Sequence, residues 1–266
     1  MQGDALNEPQ VRWLTVAGCR VHVMQAGTGA PLLFLHGGRG AGEWLPFFAA
    51  LARRFQLIVP EHPGFGRSDT PAWLENVGDL AHFYQSFIRM LGLSKVHLVG
   101  TSLGGWIAAE LAMRDGQALQ ALTLIAAAGI PVRGEQPQDL FLWTPEQMLR
   151  HSYADPARVE QLLVAQPDDA ERNLQQKNRQ TLARLGRATY MCDPHLHERL
   201  PHLAIPTQLI WGERDGIIPP SHGRAYQAAI PAAQLHLLSD CGHLPHVEKL
   251  DDTVALVCAF DDRLRG

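Results

Sequence analysis

The chain has little of what would assign it to several common protein classes. It carries 4 cysteines in 266 residues. Cys19, Cys192, Cys241 and Cys258 are scattered, with no Cys-x-x-Cys spacing. Neither a zinc site nor a redox motif is therefore supported, and reduced thiols are expected. No apolar run is long enough to span a membrane. Residues 1–10 are polar, carry Asp4 and Glu8, and lack both the basic and the apolar region of a signal peptide. A cytoplasmic location is the default expectation. Charge of neither sign dominates: the formal net charge is −4 and like charges do not cluster. A nucleic-acid or anionic-membrane partner is not expected on that basis. Internal repeats and low-complexity segments are missing as well.

What is present describes an ordinary globular protein, 46% hydrophobic and 19% charged. The length suffices for one large α/β domain, or for a domain carrying an inserted subdomain. Residues 13–16 and 20–25 read as strands joined at Ala17-Gly18, an antiparallel hairpin at a sheet edge. Short apolar runs at 31–35, 56–59, 95–99, 121–125, 207–211 and 234–238 read as further strands, several of them buried. Helical periodicity appears at 44–54, 78–91, 221–230 and 250–260, and again after residue 102. Strands and helices alternating at this rhythm predict a mostly parallel, twisted sheet wrapped by helices. The rhythm breaks over 131–203, where no strand-like run occurs and helices are expected at 145–151, 156–165 and 168–187. That stretch is expected to be a helical cap inserted over the C-terminal edge of the sheet. The organisation is then core (1–130), cap (131–203) and core (204–266).

The densest motif is Gly100-Thr101-Ser102-Leu103-Gly104-Gly105. A buried strand precedes it and a helix follows, so Ser102 sits at the tip of a sharp strand-to-helix turn of the Gly-x-Ser-x-Gly kind. The nucleophile of such an elbow has a strained backbone, and its neighbours two residues either side are pressed together. Glycine at both flanks removes the Cβ atoms that would collide. A serine hydroxyl needs a base to take its proton. Histidine suits that role near neutral pH, and a carboxylate fixes its tautomer. Asp215, at the end of the 207–211 strand, and His243, in the loop after the last strand, supply both. Glu213 is a near neighbour of the acid and His246 of the base. His195-Leu196-His197 is not completed by a carboxylate or cysteine cluster, so no metal site is expected. The loop His36-Gly37-Gly38-Arg39-Gly40-Ala41-Gly42 lacks the ending of a P-loop and the spacing of a dinucleotide fingerprint. An oxyanion hole is its better assignment.

Five pieces occur in order: His36-Gly37-Gly38, Pro63-Gly64-Phe65-Gly66-Arg67-Ser68-Asp69, the Ser102 elbow, Gly212-Glu213-Arg214-Asp215 and Gly242-His243. With them the chain resembles the α/β-hydrolase fold family over essentially its full length, in its serine-nucleophile branch. The resemblance implies a catalytic triad of Ser102, Asp215 and His243, with an oxyanion hole made by the backbone N–H groups of Gly38 and Leu103. It implies no cofactor. Ser102 disfavours the dehalogenases and epoxide hydrolases of this fold, which use aspartate at the elbow. The stretch from His36 to Trp44 is similar to the hydrolases that cleave carbon–carbon bonds in meta-cleavage products. Thr101 and Leu244 depart from that group, which carries asparagine and tryptophan there. Arg184 or Arg187 would have to serve as its carboxylate-binding arginine.

The leading expectation is a serine hydrolase acting on a small, largely apolar carboxylic ester through an acyl-enzyme. A carbon–carbon bond hydrolase acting on a 2-hydroxy-6-oxo-dienoate stands second. A non-catalytic small-molecule receptor on the same fold stands third. Trp143, Met148, Tyr190 and Leu244 are expected to line the substrate pocket. The expected partner is a small-molecule substrate, with homo-oligomerisation left open.

Overall fold

The computed structural model describes residues 8–135, 138–165 and 167–265. Residues 1–7 of the polar N-terminal stretch lie outside these. In chain order the elements are β1 (Gln10–Val16), β2 (Cys19–Ala26), β3 (Ala30–Leu35), α1 (Pro46–Ala52), β4 (Phe55–Pro60) and α2 (Val77–Met90). There follow β5 (Val96–Thr101), α3 (Leu103–Arg114), β6 (Leu119–Ile125), α4 (Pro145–Ser152), α5 (Pro156–Val164), α6 (Asp169–Gly186) and α7 (Leu196–Arg199). The chain closes with β7 (Thr207–Gly212), α8 (Pro220–Ala229), β8 (Gln234–Leu238), α9 (Pro245–Glu248) and α10 (Leu250–Arg265).

The strands form one eight-stranded sheet in the order β1-β2-β4-β3-β5-β6-β7-β8. β1 pairs antiparallel with β2, and β2 antiparallel with β4. Every other pairing is parallel. The edge hairpin turns at Ala17 (φ 48°) and Gly18 (φ 74°), the two positive φ values that a two-residue hairpin requires. β3, β5, β6 and β7 run through the middle. β5 and β7 are buried at every residue, because helices cover both faces of the sheet. One apolar cluster joins α2, α3 and α8 to one face, and a second joins α1 and α10 to the other. α2 shows why such a helix forms where it does. Asn76 caps its N-terminus by accepting from Asp79 N–H, and Asp79 returns the bond to the Asn76 N–H. Its apolar stripe of Leu80, Phe83, Tyr84 and Phe87 is buried.

Between β6 and β7 no strand occurs among the described residues. The helices expected there are α4, α5 and α6, and α7 is an addition. The segment leaves and returns at one point. Gly129 forms an isolated parallel bridge with Cys192. Gly129 N–H donates to Met191 C=O at 3.0 Å, and Asp193 N–H donates to Gly129 C=O at 2.7 Å. No described helix is long and apolar enough to cross a membrane.

Candidate active site

β5 ends at Thr101 and α3 begins at Leu103, leaving Ser102 alone in the turn with φ 52° and ψ −117°. For a residue with a side chain that conformation costs on the order of 1–3 kcal/mol, and it persists only where its surroundings impose it. Here they do. Ser102 N–H donates to Ile125 C=O at 2.9 Å, and its own carbonyl accepts from Gly105, Trp106 and Ala128. A Cβ on Gly100 would lie 2.3 Å from the Gly104 carbonyl oxygen, and one on Gly104 would lie 2.0 Å from that of Leu35. The two flanking glycines are thus the condition for the turn to close. Leu103 stands at the first position of α3, where its N–H has no intrahelical acceptor. The Gly38 N–H likewise donates to no protein group among the described bonds. Neither expected oxyanion donor has an acceptor among the described residues.

The loop after β7 carries Asp215 and the loop after β8 carries His243. His243 Nδ1 lies 2.8 Å from Asp215 Oδ2, with the carboxylate fully shielded and the imidazole almost so. Asp215 Oδ1 accepts from the N–H groups of Ile217 and Ile218, each at 2.9 Å. An ionised Asp215 held in this way keeps the proton of a neutral His243 on Nδ1 and leaves Nε2 as an acceptor. Glu213 is exposed and makes no hydrogen bond to His243. His246 is buried against Phe34 and Phe47, and burial pushes its pKa down to about 4. Asp215 and His243 thus form one pair, whereas Ser102 and Gly38 meet at a cavity. No hydrogen bond joins Ser102 Oγ to His243 Nε2; in catalytic sites such bonds often tighten only with substrate in place.

The loop after β3 is fixed from below by two neutral histidines. His36 Nδ1–H donates to Gly37 C=O at 2.7 Å, and His36 Nε2 accepts the His62 N–H at 2.9 Å. His62 Nε2–H donates to His36 C=O at 2.8 Å, and its ring stacks on that of His36 at 3.6 Å. Complete burial lowers the pKa of His36 to about 4 and that of His62 well below its usual value. Neither ring takes up a proton near neutrality, so these bonds persist there.

A cavity of about 200 Å³ opens on Ser102 and Gly38. Ala128, Ile217 and Ile218 contribute from the core, and Leu140, Leu182, Tyr190 and Met191 from the segment between β6 and β7. Of the residues expected to line a pocket, Tyr190 does so. Trp143, Met148 and Leu244 are not part of this lining. Trp143 instead stacks on His151, 4.3 Å between centroids. Arg184 and Arg187 are absent from the lining as well, and Arg184 donates to Leu74 C=O at 3.3 Å. Among the described residues the lining contains no lysine or arginine, and Glu135 is its one acidic side chain. Burial pushes the pKa of His222 down, and Glu135, 4.0 Å away, works the other way.

Two groups of residues escaped the sequence reading. The polar helix α6 buries Asn178 and Thr181 against core loops. Asn178 donates to Arg39 C=O and accepts from Gly66 N–H, both at 2.7 Å, while Thr181 Oγ1 donates to Gly64 C=O at 2.7 Å. The other is Glu248, whose carboxylate accepts from Gly242 N–H at 2.9 Å and Ala154 N–H at 2.8 Å. A signal for the first existed in the spacing of Asn178, Thr181 and Leu185, one stripe of a helix. The second had none beyond a carboxylate near the base.

Comparison with known proteins bears on this arrangement. The profile of the alpha/beta hydrolase fold family matches residues 30–250. A 2-hydroxy-6-oxo-6-phenylhexa-2,4-dienoate hydrolase of Burkholderia cepacia is 29% identical over 87% of either chain. Lipase 3 of a Moraxella species is 29% identical over 90% of this chain and 79% of its own. The crystal structure of a membrane phospholipase A superposes with a TM-score of 0.81 at 28% identity, covering 98% of this chain and 88% of that one.

Proposed function

The chain belongs to the alpha/beta hydrolase fold family, and from that premise we propose that it is a serine hydrolase cleaving a small, neutral, largely apolar carboxylic ester. The observation that carries this reading is Ser102, held in its strained turn at the mouth of an apolar cavity with two free N–H groups beside it. In this mechanism Ser102 Oγ attacks the ester carbonyl as His243 Nε2 takes its proton. The N–H groups of Leu103 and Gly38 receive the developing oxyanion. His243 then returns the proton to the leaving alkoxide. Water, deprotonated by the same Nε2, releases the acid from the acyl-enzyme, and Asp215 stabilises the imidazolium at both steps. Residues 131–203 act as the cap that supplies one wall of the cavity.

Cleavage of a dienoate carbon–carbon bond is the second reading, favoured by the likeness to the Burkholderia cepacia hydrolase. A dienoate carries a carboxylate, however. The described lining offers it no lysine or arginine to pair with, and the exposed carboxylate of Glu135 adds no attraction for an anion. That contrast supports the neutral ester as our first reading.

The test is a pair of substrates and a label. Turnover of p-nitrophenyl butyrate should exceed that of 2-hydroxy-6-oxo-6-phenylhexa-2,4-dienoate, and the reverse order would install the second reading. Ser102→Ala should remove ~10⁶-fold of turnover, the scale of losing a triad nucleophile. A fluorophosphonate should modify Ser102. Turnover of neither substrate, with no adduct at Ser102, would leave a non-catalytic receptor.

A further inference from the structure

His243 is joined to the segment between β6 and β7 by more than the cavity. Its N–H donates to Ser152 C=O at 2.8 Å, and Ser152 is the last residue of α4. The neighbouring acid loop does the same, since Gly216 N–H donates to His151 C=O at 3.1 Å. A third link crosses in the opposite sense, from Ala154 N–H to Glu248 Oε2 at 2.8 Å. Glu248 Oε1 meanwhile accepts from Gly242 N–H at 2.9 Å, one residue before the histidine. One carboxylate therefore spans the base-bearing loop and the chain that follows α4. The fit is close. A Cβ on Gly242 would lie 2.5 Å from the Ser152 carbonyl oxygen and 2.9 Å from Glu248 Oε1. Gly242 is thus what lets both acceptors reach the adjacent N–H groups of Gly242 and His243.

We propose that Glu248 is a positioning residue for His243: its carboxylate clamps the loop at Gly242 to the backbone at Ala154, and so sets the direction in which the imidazole meets Asp215 and Ser102. The chemistry fits a clamp. A carboxylate that accepts two backbone N–H bonds fixes both with charge-assisted strength. Burial works against it, pushing the Glu248 pKa up, and the backbone donors work the other way. A half-buried carboxylate engaged only with backbone donors, on a four-residue helix directly after the base, has no surface role that would account for it. Its consequence is that the end of α4 and the base move as one body, so the segment that walls the cavity also holds the general base in register. This rests on the assignment of His243 as the base.

Two variants and three readouts test it on the full chain. Glu248→Ala removes both acceptors, and Glu248→Gln is nearly isosteric and keeps one. With p-nitrophenyl butyrate, kcat should fall about 10- to 100-fold in Glu248→Ala, the scale of a catalytic group displaced by about 1 Å. It should fall several-fold less in Glu248→Gln. KM should stay within about 3-fold in both, because neither change touches the cavity. The low-field proton resonance of the His243 Nδ1–H···Asp215 bond should shift or broaden in Glu248→Ala. That resonance is read without substrate, so it tests the clamp even if Ser102 proves not to be a nucleophile. The rate of fluorophosphonate labelling at Ser102 should fall in step with kcat. An unchanged resonance, or a loss confined to KM, would overturn the proposal, as would a kcat within 2-fold of wild type in both variants. Should Glu248→Ala fail to fold, the Glu248→Gln resonance and kcat decide by the same criteria.

Discussion

Ser102 and Asp215 are fixed by different means. The serine is held by its backbone, in a conformation its neighbours impose, and the aspartate by donors that reach its side chain. The second arrangement predicts what an amide would do. In Asp215→Asn the Oδ1 position remains the acceptor for Ile217 and Ile218, which turns the NH₂ group towards His243 Nδ1. The imidazole must then carry its proton on Nε2, where it can no longer accept from Ser102. Turnover should fall ~10⁴-fold with the fold intact, as when a triad aspartate becomes asparagine. Glu213→Gln, altering an exposed side chain with no bond to the base, should leave kcat/KM nearly unchanged. Steady-state kinetics of the two variants decide it, and the opposite pattern would move the acid role to Glu213. These residues were legible in the sequence because each lies just past a strand, and the Gly-x-Ser-x-Gly turn is a local steric problem with few solutions. Glu248 was not legible, since its partner at Ala154 is 94 positions away and only the folded chain brings the two together.

Among the elements, α6 differs most from its appearance in sequence. It reads as polar and charged, yet Asn178, Thr181 and Leu185 are buried, and Leu182 reaches the cavity wall. Its inward stripe is polar because it meets backbone. Asn178 satisfies the Arg39 carbonyl and the Gly66 N–H, groups that no strand or helix would otherwise pair. Asn178→Ala should lower stability by about 2 kcal/mol, given roughly 1 kcal/mol for each of the two buried hydrogen bonds. Because Leu182 rides on the same helix, KM for p-nitrophenyl butyrate should rise as well. Urea unfolding and initial-rate kinetics on the one variant measure both. A stability indistinguishable from wild type would mean that water takes over both bonds. The pocket expectation missed for a related reason. Apolar composition nominates Trp143, but only tertiary packing decides that it stacks on His151 and leaves the wall to Leu140, Tyr190 and Met191. The alternation of strands and longer helices was legible, because burial on both faces writes itself as short apolar runs, whereas the four-residue helices α7 and α9 are too short to leave a period.

The whole molecule carries an acid sensitivity that no single site reveals. His36, His97 and His246 are fully buried, and burial lowers each pKa to about 4. Below about pH 6.5 the unfolded chain binds a proton at each that the folded protein refuses until about pH 4. Stability is therefore lost as pH falls through that window, by up to about 3 kcal/mol per histidine. The urea midpoint should drop steeply between pH 6.5 and 4, and His97→Phe should drop less steeply. A midpoint flat across that range would refute the assignment. A last consequence follows from the join at Gly129 and Cys192, where the strand-free segment departs and returns within one hydrogen-bonded step. Insertions or deletions between those points need not propagate into the registers of β6 and β7. That segment can be exchanged while the loops bearing Ser102, Asp215 and His243 are left unaltered, provided the new segment reproduces the few bonds around residues 151–154, two carbonyl acceptors at His151 and Ser152 and one N–H donor at Ala154. Those few bonds, more than the cavity's shape, set the limit on what can be grafted.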